Sequence, residues 1–454
     1  MGSVRLRHRP SAPHLARDRL NPAPSVDRGV ATPPVKRTAL VLDGGGAQSV
    51  VLVRVLGQLG WNVLCESETR SSRSRWTTGT VNLPSPDGPD ADPDGYVAAL
   101  REICSRVEVS LVAPARDLTL SYCWQAAGAD DTIAGARILS ADRRTAGVFT
   151  DKAAGIEAAG TYGFPVPATI TGRHADEIVR ATERLGYPCV VKPRRSFLRK
   201  GGFIRQIRHI YVRSPAEARA AVDALTSDDG LLPVAQEYVT GRACSVTAVV
   251  HSGAVIASSA RATLSFFPLE GGTSVWKRTI PVETPGVEDA LAFMRRWGLE
   301  GVAELEYVLS PLGPRFMELG PRIHGWIPLA EASSPGLLAA AIRTVIGEDV
   351  EPLPPYRANL EMRWIGGELL RTRSALDPRT RLPGNVSRLG VLLSAWPPWR
   401  PGMLYDGVDL GDLGALLPRA LAYRLVRRGS VTRMAENEAP RTKRQNGPKV
   451  PSAG

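Results

Sequence analysis

Apolar and polar positions fall into two textures along the chain. Between residues 38 and 145, short apolar runs alternate with stretches of helical period. Residues 39–42 read as a buried strand, Val50, Val53, Leu56 and Leu59 repeat at the spacing of one helix face, and 61–65 read as a second strand. A helix over 95–107 and an apolar segment over 109–113 continue the order, which predicts an open parallel α/β layer. From Asp151 the period changes. A helix closed by Gly163 is followed by a strand containing Val190 and Val191, then by a basic hairpin turning at Gly201-Gly202. Further antiparallel strands are joined by His251-Ser252-Gly253, and near residue 301 two strands, 303–309 and 315–319, carry Glu304, Glu306 and Glu318 within apolar runs. The predicted class is therefore α/β plus α+β, and a stretch with Pro-Pro and Gly breaks, about 355–425, predicts a small appended layer.

The 454-residue length fits two or three packed units, and 43% hydrophobic residues can supply their cores. No run approaches the roughly 18 apolar residues of a membrane span. The formal charge of +12 invites a nucleic-acid reading until it is located. Residues 1–37 and 424–454 each carry eight Arg or Lys against two Asp or Glu, so the intervening chain is neutral. These arms lack hydrophobic periodicity and read as a disordered basic arm (1–37) and tail (426–454), with nucleic acid a disfavoured partner. No apolar signal region follows the first arm, and the five scattered cysteines form no CxxC pair, which together predict a cytoplasmic protein without disulfides or structural zinc. Arg outnumbers Lys fifty to seven, so lysines retained against that bias become candidates for work a guanidinium does poorly. Four lie outside the arms: Lys152, Lys192, Lys200 and Lys277. The Gly44-Gly45-Gly46 turn sits where a dinucleotide loop would, but the GxGxxG spacing is absent.

The ordered set Asp151-Lys152, Lys192-Pro193, the Gly201-Gly202 hairpin, Gln236-Glu237-Tyr238-Val239, Glu304-Leu305-Glu306 and Glu318-Leu319-Gly320-Pro321-Arg322 resembles the ATP-grasp superfamily, in its divergent carboxylate-amine or amino acid ligase type. The resemblance covers about residues 38–350. It implies a pre-ATP-grasp α/β domain over 38–145, an ATP-grasp domain of two α+β subdomains over 146–354 and a C-terminal extension over 355–425.

ATP needs its triphosphate neutralised, its adenine held and its γ-phosphoryl aimed. The resemblance assigns Lys152 and Lys192 to the phosphates and adenine side, Gly201 and Gly202 to a loop over the phosphates, and Gln236, Glu237, Tyr238 and Val239 to the adenine edge. It assigns Glu306 and Glu318 to Mg²⁺, with Mn²⁺ as the alternative, since hard cations bridge carboxylates to phosphates. Strand alternation puts Glu304 on the same face as Glu306. Arg322 would face the transferred phosphoryl, whose charge suits a guanidinium fork, and Arg261 with Gly271-Gly272-Thr273-Ser274 would lie on the substrate side, near Lys277 and His324. Two positions depart from the family pattern: Gly320 stands where an Asn usually ligates metal, and Ala243 where a Glu usually holds ribose. The implied reaction joins a small-molecule carboxylate to an amine through an acyl phosphate, releasing ADP and phosphate. A noncatalytic nucleotide-binding or regulatory protein is the alternative, and a homodimer is left open.

Overall fold

The computed structural model describes residues 4–6 and 36–416, except 270, 381–385 and 398–399. The basic tail and nearly all of the N-terminal arm lie outside the described residues. From the arm, Val4–Leu6 pairs antiparallel with Gly79–Val81 as an edge strand, where the sequence pattern carries no strand.

The first layer is a sheet in the order Val4–Leu6, Gly79–Val81, Asn62–Glu66, Thr38–Val41, Leu111–Ala113, Arg137–Ile138, parallel in every pairing except that of the edge strand. Its central strand is apolar on both faces, with Ala39, Leu40 and Val41 all inaccessible, because helices cover both sides. Helix Ala47–Gln58 buries Val50, Val53 and Leu56, while Leu59, one residue past its end, turns outward. Helix Pro93–Arg106 starts under an Asp92 cap that accepts from the Gly95 amide at 2.9 Å.

The chain then builds a four-stranded antiparallel sheet and a seven-stranded sheet that is antiparallel except at its last pairing. The four-stranded one runs Ile210–Val212, Cys189–Lys192, Val234–Glu237, Thr169–Ile170, covered by helices Ala175–Leu185 and Pro215–Leu225. Between its strands stands the hairpin Phe197–Lys200 and Phe203–Gln206. Gly201 (φ 60°) and Gly202 (φ 78°) give it the left-handed two-residue turn that matches strand twist. The larger sheet has seven strands: Gly313–Gly320, Gly301–Ser310, Arg242–His251, Ala254–Phe267, Thr273–Thr279, Glu361–Arg363 and Leu404–Tyr405. Its last two strands come from the segment expected as an appended layer, so that segment extends the central sheet instead of standing apart.

One apolar core joins the first layer to the large sheet. It unites Val41, Leu52 and Leu56 with Val249, Ile256, Ile327 and Leu338. At the seam the Ala141 amide donates to the Pro321 carbonyl at 2.9 Å, and Ala141 pairs with Gly301. Gly301 has φ 97° and its Cα faces the Ser140 carbonyl, so a side chain here would meet both strain and backbone. The junction fixes Arg322 and the acidic strands against the N-terminal layer. Among the described residues, no helix is long and apolar enough to cross a membrane.

Candidate functional site

Strand pairing brings the two acids together. Glu306 and Glu318 are register partners on neighbouring strands, and Glu304 faces Gly320 two residues further on. Immediately beyond Glu306 the register shifts, with Tyr307 opposite Phe316, so Met317 is the extra residue of a bulge. The bulge gives the cleft an apolar spot: Met317 Sδ lies 3.9 Å from Lys192 Nζ.

Lys192 ends the strand Cys189–Lys192 and is almost fully buried. Burial pulls its pKa down to about 8, against the charges of Glu318 and Glu306, with Lys152 adding to the fall. Lys152 starts a helix capped by Asp151, which also takes both arms of Arg194 at 2.7 and 2.6 Å. Its ammonium lies 3.3 Å from Glu318 and donates to Ser196 Oγ at 3.1 Å. Glu306 keeps 48% of its side-chain surface, yet desolvation inside the cleft, then Glu304, and to a lesser extent Glu318, raise its pKa to about 8. Two lysines and two carboxylates thus converge from four separate elements. A carboxyl kept protonated by desolvation in a cleft is what a hard cation would relieve, so Glu306, with Glu318 as its register partner, fits Mg²⁺. Among the described residues no group of three or more His, Cys, Asp or Glu side chains forms a ready metal cage, so phosphate oxygens and water would complete the shell.

Arg322 is nearly buried and pairs with Asp117 of the N-terminal layer at 2.6 Å, rather than with Glu318. Asp117 stays below the usual carboxylate range despite burial, because Arg322 and a Ser196 hydrogen bond favour its charged form. The hairpin with Gly201 and Gly202 is clasped to the same layer: the Gly88 amide donates to the Ile204 carbonyl at 2.7 Å, and Ile204 and Phe197 join that layer's core. Lys200 is spent on the Asp223 carbonyl.

At the proposed adenine edge, the Gln236 side chain is buried and donates to Thr169 Oγ1 at 2.9 Å, and the Glu237 amide donates to the Ala168 carbonyl. Tyr238 is exposed and stacks edge-on with Tyr211 at 5.6 Å, while Val239 follows the strand's end. His209, adjacent to Tyr211, is held neutral with a pKa of about 4 by burial, Lys192 and Lys152, so it too faces the lysine cleft. Sequence reading missed it.

Beyond Glu306 the cleft opens into a cavity of 370 Å³ reaching the Gly45-Gly46 turn. Arg261 crosses its floor, 3.5 Å from Glu304 and 3.9 Å from Glu306, with Cζ 5.3 Å from the Trp326 ring. Glu304 is buried, but His324, Arg261 and the Trp326 indole N–H hold its pKa below the usual range. His324 lies behind this wall, bonded to Thr247 at 2.5 Å, and burial pushes its pKa to about 4. It braces Glu304 and is not a surface group. Lys277 is buried and lies 3.4 Å from Asp406, which comes from the C-terminal segment. The loop at Gly271-Gly272 is tied to the smaller sheet's side, where Arg208 donates to Thr273 Oγ1 at 3.0 Å.

The Gly44 turn has a different occupant from a dinucleotide. Asp43 fills the crevice between the central strands' ends, accepting from the Ala115 amide at 2.9 Å and from Arg116 and Thr119, both at 2.5 Å.

No protein-family model matches the chain, and no curated protein matches it. Solved structures do. The biotin carboxylase domain of 2-oxoglutarate carboxylase from Hydrogenobacter thermophilus, in complex with MgADP, ADP and bicarbonate, is similar with a TM-score of 0.57 at 14% identity, over 71% of this chain and 73% of that one. Biotin carboxylase from Campylobacter jejuni gives 0.55 at 14% identity over 71% and 74%. N5-carboxyaminoimidazole ribonucleotide synthetase from Thermus thermophilus gives 0.52 at 17% identity over 71% and 81%. These are ATP-grasp enzymes, and the chain has the ATP-grasp fold. At such identity the likeness defines the fold, while chemistry must be argued from the residues.

Proposed function

We propose that the protein is an ATP-dependent ligase that joins a carboxylate to an amine, with its nucleotide held between the four-stranded and seven-stranded sheets as two subdomains. The observation that carries this reading is the pairing of Glu306 with Glu318 on adjacent strands, flanked by Lys152 and Lys192 and opening into the pocket of Arg261. Lys152 and Lys192 would neutralise phosphate oxygens, and the strand end from Gln236 to Val239 would hold the adenine edge. Glu306 and Glu318 would hold Mg²⁺, or Mn²⁺, which supplies charge neutralisation on the phosphates.

A carboxylate is a poor electrophile, so phosphorylation is needed before an amine can attack. A substrate carboxylate oxygen attacks the γ-phosphorus, the bond to the β-phosphate oxygen breaks, and ADP leaves. The amine then attacks the acyl carbon, the C–O bond to phosphate breaks, and the amine loses a proton as inorganic phosphate departs. Arg261 would orient the carboxylate and Arg322, held by Asp117, would stabilise charge on the transferred group. The soluble small-molecule setting and the cytoplasmic location expected from the sequence belong to the same proposal.

A second reading, a noncatalytic nucleotide-binding protein, is favoured by Gly320 and Ala243, which remove a metal ligand and a ribose contact of the family pattern. Hydroxylamine separates the two because it captures acyl phosphates as hydroxamates whatever the natural amine is. Incubating the full chain with ATP, Mg²⁺, hydroxylamine and a panel of carboxylic acids should yield a hydroxamate and equimolar ADP with some acid. Nucleotide binding without acid-dependent ADP release across the panel would favour the noncatalytic reading.

A further inference from the structure

The pocket beyond Glu306 contains a group that the phosphate chemistry leaves unused. Asp406 reaches it from the C-terminal segment, with Oδ2 3.4 Å from Lys277 Nζ, and its other oxygen, Oδ1, is buried without a hydrogen-bond partner. Arg261 Nε and Ser274 Oγ, which line the same space, are likewise buried and unpartnered. A buried acceptor left unsatisfied is costly, so a ligand that brings a donor to Asp406 Oδ1 would satisfy it.

The placement of charged groups narrows the ligand. Among the described lining residues, Arg261 and Lys277 offer positive charge beside Glu304, and Asp406 offers an open acceptor. A phosphate or a second carboxylate at the far end would bring like charge to Asp406 Oδ1. A ligand carrying both signs would match. The indoles of Trp326 and Trp364 add apolar wall, and 370 Å³ suits one small molecule rather than a polymer.

We propose that Asp406 selects the acid substrate: a carboxylic acid that also bears an amino group, its carboxylate directed to Arg261 and its nitrogen donating to Asp406 Oδ1. This rests on the ligase reading and assigns the C-terminal segment a part in the site.

The test uses the full chain and hydroxylamine capture with matched pairs, each amino acid beside its des-amino counterpart, such as phenylalanine with 3-phenylpropanoate and leucine with 4-methylpentanoate. The amino member should be preferred in kcat/KM by at least about tenfold, the scale set by stranding a buried polar group. Asp406→Asn should erase most of that preference through KM, with the des-amino acids little changed. Preference for the des-amino members in the native chain would overturn the inference and leave the ligase reading standing. So would an Asp406→Asn loss equal for both members, which marks a merely structural role through Lys277. Failure of every acid to give hydroxamate would overturn both readings together.

Discussion

The side of the cleft proposed to take the phosphates and the side proposed to take the acid are built in opposite ways. On the phosphate side, Lys152 and Glu318 pair at 3.3 Å, while burial lowers the pKa of Lys192 to about 8 and desolvation raises that of Glu306 to about 8. On the acid side, Arg261, Lys277 and Asp406 are already in ion pairs, and those pairs come from the large sheet and the C-terminal segment. The contrast teaches where ligand and where fold do the holding. The phosphate side is electrostatically incomplete by itself, whereas the acid side is a braced mould with a few open hydrogen-bonding positions.

The largest effect should come from the brace between the regions. Asp117→Ala strands the nearly buried Arg322 cation, and breaking such a pair costs about 3–5 kcal/mol, measurable by denaturant unfolding. A cost near zero would mean that the N-terminal layer does not pin Arg322. Next, Glu318→Gln should lower acid-dependent ADP release by about 10²-fold or more, the scale of losing one electrostatic contact to developing charge, with little change in fold. Lys192→Met should weaken binding of a nonhydrolysable ATP analogue by about 10- to 100-fold, the range for a charged hydrogen bond, as read by calorimetry. Asp406→Asn should leave that affinity unchanged, and a comparable loss there would erase the distinction between the two regions.

Smaller, but specific to the phosphate side, is the pH dependence. Lys192 loses its proton near pH 8, so metal-free analogue affinity should fall as pH rises through 8, and Lys192→Met should flatten that profile. Folded Glu306 keeps its proton to about 8, against 4.5 for an unperturbed carboxyl. The folded chain therefore binds more protons than the unfolded chain between those values, and stability falls as pH rises across the window. Metal-free Glu306→Gln should melt higher than the native chain at pH 9, with the gap closing toward pH 4.5. The smallest effect is a control: Arg219→Ala, which removes an exposed pair with Asp176, should leave the denaturant midpoint essentially unchanged.

The same contrast explains what the sequence disclosed. The phosphate side was legible because its groups sit in local motifs: a lysine after a capping Asp, a lysine ending a short apolar strand, and acids at strand spacing. The three-layer order was legible too, since buried parallel strands and the Gly201-Gly202 turn leave plain periodic and turn signals. Asp406 was not, because it stands in a Gly-rich stretch and gains meaning only when its strand adds to the sheet beside Lys277. Asp117 and His209 were missed for the same reason: their partners, Arg322 and the lysine cleft, are distant in sequence. The C-terminal segment misled because two short strands carry little periodicity, though one of them completes the acid pocket.

The central claim is that Glu306 and Glu318 hold a metal against nucleotide phosphates. Calorimetric titration of the full chain with a nonhydrolysable ATP analogue, with and without Mg²⁺, compared with Glu318→Gln, tests it most directly. The account predicts binding that Mg²⁺ strengthens in the native chain, with the Mg²⁺ gain lost in the variant. An equal Mg²⁺ gain in both proteins, or no nucleotide binding by the native chain, would contradict it.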